Sequence, residues 1–374
     1  MRRAMFAPLF VIVPLLLGTP AIAQHCGGPC EVPRPAGPPI SPNPKFKLVA
    51  GKEKNNWRYL HNFIWTEDGV QKFKLEETLS SPQMIAFGYR RIFVSPAGNG
   101  FLVTGNGYAR DQFLLSGRTH ANKIPLFVFC DPRGTPIVEV PLQQALKPDE
   151  IKTGDCPAGC GCKDILYVFQ QDPAISTNGC YVELVTKGTG RTIRFCLPLG
   201  SLIDDRGAFE DRLAELEWER IPTGLRAGKR AEIEALLAAL DSSNFKTRDS
   251  AEKALLQFGF LALPALRASR GPADSPEKKS RRGRIETQLK PWAADGYEAM
   301  SVDLDLLSGL LTYPERPVVQ AVQARLSQLV PDELVLKLGN ISKFPGKTDW
   351  GPWLEKHRDR LQWDAKQRQY TLTQ

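Results

Sequence analysis

Two hydrophobic rhythms divide this chain. Between residue 46 and about 205, apolar residues come in short runs broken by Gly, Pro, Asn and Asp; beyond 206 they return every three or four positions. Short runs bounded by turn residues predict strands. Ile92-Phe93-Val94 leads through Ser95-Pro96-Ala97-Gly98 to Phe101-Leu102-Val103. Leu126 to Phe129 leads through Asp131-Pro132-Arg133-Gly134 to Ile137–Val140, and Ile165 to Phe169 opens a third group. The clearest hairpin is Tyr181 to Leu197. A type II′ turn with Gly188-Thr189 at its tip pairs Leu184 with Ile193 and Val182 with Phe195 on one face, and Glu183 with Arg194 on the other.

A weak internal repeat runs through this half. Val138-Glu139-Val140-Pro141-Leu142 followed by Ala145-Leu146 returns 57 residues on as Phe195-Cys196-Leu197-Pro198-Leu199 followed by Leu202-Ile203. Asp68-Gly69, Phe73-Lys74-Leu75 and Leu79 make a fainter third copy. Three copies are too few for a closed ring of blades. The expectation is an antiparallel sandwich or strongly twisted sheet, with propeller-like strands as the alternative.

Beyond residue 206 the spacing is helical. Ile233, Leu236, Leu237 and Leu240 form one stripe, followed by the stop and cap residues Asp241-Ser242-Ser243-Asn244. Ala251, Ala254, Leu255 and Phe258 continue a second helix ended by Gly259, and Leu261, Leu263 and Leu266 begin another. Ser275-Pro276-Glu277 opens a helix carrying Ile285 and Leu289. Leu304, Leu307 and Leu311, then Val319, Val322, Leu326 and Leu329, make two later stripes. Short helix pairs in series predict an α-solenoid. The whole chain therefore reads as α+β: an antiparallel β domain over 46–205 and a helical repeat domain over 206–374.

One unit carries a family resemblance. Glu234-Ala235-Leu236-Leu237-Ala238-Ala239-Leu240-Asp241, then Arg248, Ala251, Leu255, Gly259 and Ala262-Leu263-Pro264-Ala265-Leu266, resembles the HEAT-like repeat named after phycobilisome lyases. The resemblance implies that Arg248 braces the turn between paired helices and that Leu266 is core. Residues 260–290 keep the Leu spacing and Arg282; residues 301–329 keep only the apolar pattern. The tail Asp349-Trp350-Gly351-Pro352-Trp353, Leu361-Gln362-Trp363-Asp364 and Tyr370 is similar to the closing segment of some exported bacterial proteins with such repeats. It is expected to cap the last helix pair rather than to form a ligand platform.

Composition changes the picture at the other end. Met1-Arg2-Arg3, an apolar stretch from Ala4 to Leu17, and Ala21-Ile22-Ala23 form the pattern of a secretory signal peptide over 1–23, with Gln24 as the mature start. That stretch is too short for a bilayer span, so no membrane insertion is expected after cleavage, and the protein is expected to be secreted or periplasmic. Residues 24–45 read as a Pro-rich linker, with seven prolines between 27 and 44. All eight cysteines, Cys26, Cys30, Cys130, Cys156, Cys160, Cys162, Cys180 and Cys196, precede residue 197. In an exported chain they read as a disulfide set of open connectivity. Confining them to one half predicts that the helical half folds on its own, indifferent to reductant.

The net charge is +8, of which Arg2 and Arg3 supply two. The single dense basic run, Lys278, Lys279, Arg281, Arg282 and Arg284, reads as a solvated helix face without interleaved aromatics, and nucleic acid is not an expected partner. None of His25, His61, His120 and His357 lies in a metal-ligand motif. Gly188-Thr189-Gly190 lacks the third small residue of a dinucleotide loop, and Asn106-Gly107 stand where a phosphate loop from Gly100 needs Lys and Ser/Thr. Asp303 and Asp305, two apart on a predicted helix, are expected on different faces. The exception is Cys156, Cys160 and Cys162, three thiols within seven residues, weak candidates for zinc or copper(I). The expected function is therefore a non-catalytic scaffold without cofactor, its solenoid binding a protein partner. A metal or redox module at the cysteine cluster is the alternative, and a glycan-binding β domain using Trp57, Tyr59 and Trp65 is the second.

Overall fold

The computed structural model describes residues 38–50, 63–75, 89–105, 125–150, 152–154, 165–167, 169–272, 274–290, 300–339 and 349–373. The fold is α+β, with antiparallel sheets in the N-terminal half and helices in the C-terminal half. Three meanders form in succession. The first joins β1 (Phe46–Ala50), β2 (Phe63–Glu67) and β3 (Val70–Lys74). The second joins β4 (Tyr89–Val94), β5 (Phe101–Gly105), β6 (Pro125–Cys130) and β7 (Pro136–Pro141), and is followed by one helical turn at Leu142–Ala145. After the short pair β8 (Lys152–Gly154) and β9 (Ile165–Tyr167), the third joins β10 (Ala174–Ile175), β11 (Tyr181–Val185), β12 (Thr192–Cys196) and β13 (Ser201–Ile203).

Alternation along the strands sorts side chains into three apolar layers. Phe46, Phe63 and Trp65 pack with Val94, Phe101, Val103 and Val128 from one face of the second sheet. Phe93, Leu102, Phe127 and Phe129, from its other face, pack with Val182, Leu184, Ile193 and Phe195 of the third. Tyr181, Cys196 and Ile203 point the opposite way and join the helices. The second sheet is covered on both faces, which explains why its strands are continuous apolar runs instead of alternating ones. Trp65 is fully buried and stacked on Phe46 at 6.1 Å. It is core and offers no sugar platform; Trp57 and Tyr59 lie outside the described residues.

The expected hairpin register holds: Val182 faces Phe195, Glu183 faces Arg194 and Leu184 faces Ile193. The tip differs. Thr186 N–H donates to Arg191 O at 2.9 Å, so four residues turn, and Gly190 takes the left-handed conformation at φ 72°. Both loops share one centre, so the register is the same. The internal repeat is not structural, because Val138–Val140 end one sheet as β7 while Phe195-Cys196 lie in β12, the third strand of another. The linker also needs correction. Ile40 bridges Phe93 and exchanges backbone bonds with Ile92 and Val94, so the described end of the Pro-rich segment is docked on a sheet.

Among the described residues the helices are α1 (Arg206–Arg220), α2 (Thr223–Ala239), α3 (Phe245–Gln257), α4 (Leu263–Ala268), α5 (Pro276–Gln288), α6 (Leu304–Leu310), α7 (Arg316–Leu329), α8 (Asp332–Leu338) and α9 (Trp350–His357). A terminal hairpin follows, β14 (Leu361–Asp364) with β15 (Gln369–Leu372). α2 and α3 form the expected pair. Arg248 donates to the carbonyls of Ser242 at 2.6 Å and Ser243 at 3.1 Å, tying the turn between them. Gly259, at φ 58°, ends α3 in the left-handed conformation that favours glycine. Leu266 is fully buried. Arg282 makes an analogous bond to Ser269 O and an ion pair with Asp274. Arg248→Ala should lower stability by about 1–2 kcal/mol, the worth of charged donors on otherwise orphan carbonyls; a thermal melt checks it.

The apolar core crosses residue 205 without a break. One cluster contains Tyr181, Leu199 and Ile203 from the third sheet together with Phe209, Leu237, Leu307, Leu326 and Trp353 from the helices. Polar ties reinforce it: Glu315 accepts from the backbone N–H groups of Asp204 and Asp205, and Asn178 donates to Leu289 O. Arg206 pairs with Glu183 and Glu210 and lies over the Tyr181 ring at 4.7 Å. The cysteine boundary is thus not a boundary in the packing, and a helical half that folds alone is not what this core implies.

Candidate functional site

The C-terminal cap meets α6 across an open cleft of about 350 Å³. It is lined by Val302, Asp303, Leu304 and Asp305 on one side and by Arg358, Asp359, Leu361, Trp363 and Tyr370 on the other. Asp303 is the N-cap of α6: its Oδ1 accepts from the N–H groups of Asp305 and Leu306, and its Oδ2 pairs with Arg220 at 2.7 Å. A capping residue lies outside the helix proper, so its side chain does not follow helical spacing. That corrects the expectation that Asp303 and Asp305 diverge; both line this cleft.

Across from them, Leu361 and Trp363 alternate with Gln362 and Asp364 along β14, which pairs in register with β15. Asp364 closes the turn by accepting from the N–H groups of Lys366 and Gln367. Trp363 and Tyr370 sit opposite each other with ring centres 5.3 Å apart. Tyr370 donates its hydroxyl proton to Val302 O, and burial with nearby Asp303 pushes the phenol up to about 12. Asp305 pairs with Arg358 at 3.0 Å, and Asp359 is almost fully exposed, 3.8 Å from the same guanidinium. The cleft therefore presents carboxylates beside an indole–phenol pair. Three carboxylates against Arg358 and the adjoining Arg220 leave the lining one negative charge in excess, and the half-buried Trp363, unlike the buried Tyr370, keeps ring surface open to a cation.

The tail, expected as a capping helix and not a ligand platform, packs on α6 and α7 as a helix plus a hairpin. Trp350 and Trp353 are buried in the shared core, while Trp363 lines the cleft. Period-two alternation over 361–364 and 369–372 around an Asp-led turn was the available signal for that hairpin.

The other candidate residues lie elsewhere. Cys26, Cys30, Cys156, Cys160 and Cys162 are outside the described residues, and with them the metal-cluster reading. Cys130 and Cys196 are buried thiols in different apolar layers, so they do not bridge each other. Burial pushes the Cys196 thiol up to about 12 and that of Cys130 well above its ordinary value. Both pack as small apolar side chains. Cys180 is buried in the same layer as Cys196. Among the described residues no group of His, Cys, Asp or Glu is arranged to hold a metal ion.

The basic run is not a solvated face. Arg281 and Arg282 are buried. Arg281 pairs with Glu252 and Glu277, Arg284 with Glu252, and Arg282 and Lys278 with Asp274, whose carboxyl is held well below the usual range. Three carboxylates, Glu277 on the same helix, Glu252 on α3 and Asp274 just before the helix, pair with four of its five cations. No helix of the described residues is long and apolar enough to cross a membrane. No family model, curated protein or solved structure matches this chain.

Proposed function

We propose that this is an exported, non-catalytic interaction protein whose C-terminal cleft takes a basic side chain of a protein partner. The observation that carries the reading is the commitment of the cleft's polar groups. Asp303 is spent on its helix and on Arg220, Asp305 on Arg358, and the Tyr370 hydroxyl on Val302 O. Groups already bonded shape and charge a surface more readily than they exchange protons with a substrate. The HEAT-like pair α2–α3, read as the start of a short solenoid, supplies a larger face for the same partner. The leader pattern over 1–23 supports export.

The test is titration of purified protein with Gly-Lys-Gly and Gly-Glu-Gly, followed by tryptophan fluorescence. The lysine peptide should bind and the glutamate peptide should not. Asp305→Lys, which reverses the charge and frees Arg358, should weaken binding at least about tenfold, as should Trp363→Ala. Binding should also fall as salt rises, because Asp305 and Asp359 are exposed. Equal response to both peptides would refute the assignment.

A further inference from the structure

His357, the last residue of α9, is 2% exposed and lies against Trp353 with ring centres 5.1 Å apart. Among the described residues neither ring nitrogen has a hydrogen-bond partner. A neutral imidazole always carries one N–H donor and one acceptor, so burying both unmet costs free energy already; a second proton adds a charge with nothing to receive it. The surroundings are cationic. Lys356 and Arg360 lie on its own segment, and with burial they hold the ring below its ordinary value of 6.5. From α6, the helix packed against α9, the carboxylates are Asp303 and Asp305, taken by Arg220 and Arg358.

Position makes this a device rather than a packing detail. His357 directly precedes Arg358 and Asp359, which line the cleft, and α9 holds the wall they belong to against α6. We infer that His357 is an acid-sensitive latch: protonation releases the C-terminal cap from α6 and takes the cleft apart. The latch regulates the site proposed above, but the release itself needs no ligand. The sign follows from linkage. A group charged only when released stabilises the docked state above 6.5 and loses that stabilisation as pH falls below it. The released population should rise roughly tenfold per pH unit until the docked ring itself titrates.

The experiment is hydrogen exchange on the full chain at neutral pH and at pH about 5.5, read as protection factors, which remove the intrinsic pH dependence of exchange. Protection over Trp350–His357 should fall about tenfold in acid while that over Phe245–Gln257 holds. His357→Phe, which keeps a ring on Trp353, and His357→Leu should each abolish the acid response. An acid response that persists in either variant, or wild-type protection over α9 that does not move, overturns the inference. Peptide titration separates the two readings: a cap that opens in acid on a protein that never binds Gly-Lys-Gly keeps the latch and removes the binding role.

Discussion

Replacing Glu150 by Ala should cost about 3–5 kcal/mol, the loss expected when one partner of a buried ion pair is removed. Glu150 is fully buried at the end of a short turn of helix, Pro148–Glu150, beneath the tip of the β11–β12 hairpin. Its carboxylate accepts two bonds from Arg191, at 2.6 and 2.7 Å, one from Thr189 at 2.8 Å and one from Lys147 N–H at 2.8 Å. A Cβ on Gly188 would lie 1.8 Å from Asp149 O, so the loop and the turn touch backbone to backbone. Without the carboxylate, the Arg191 guanidinium is left with Ala145 O as its acceptor among the described residues, and the hairpin tip loses its anchor. The bonds to Arg191 hold the Glu150 carboxyl at about 2 instead of 4.5. A carboxyl lowered on folding contributes stability above 4.5, lost progressively as pH falls toward 2. Chemical denaturation at neutral pH should show the full gap between wild type and Glu150→Gln. In acid below 4.5 the gap should close; a gap that stays constant would mean the pair is not what stabilises the tip.

Trp353→Ala should cost a similar amount, about 3–5 kcal/mol for a fully buried Trp. More telling is which part of the protein feels it. Trp353 belongs to the apolar cluster that also holds Tyr181, Cys196 and Ile203. Melting followed at 222 nm and by near-ultraviolet dichroism should therefore give one coincident transition, and the substitution should shift all of it. Two transitions, with only the helical one moving, would restore the boundary at residue 205.

What could be read from the chain and what could not follow a physical line. The Tyr181–Leu197 register was legible because one alignment satisfies both an apolar face and a charge pair, and those are local. Stripes such as Ile233, Leu237 and Leu240 were legible for the same reason. α1 also carries a local signal, because Phe209, Leu213 and Leu216 keep helical spacing and its N-cap Asp205 accepts from Ala208 N–H. The distribution of cysteines suggests a division there, whereas the packing makes α1 the seam. The burial of Arg281 was unreadable for another reason. Glu277 and Asp274 lie within reach along the chain, but Glu252 comes from α3, and a charge run carries no mark of what faces it. The cleft depended on an N-cap displacing one Asp from helical phase and on a hairpin about 60 residues further on.

Arg368, on the turn between β14 and β15, donates to Gly98 O across 270 residues of chain and lies over the Phe46 ring. The terminal hairpin is thus tied to the loop before β5 and to strand β1, so the two ends of the described fold share contacts, and a cut within that hairpin should loosen the packing around Phe46 as well.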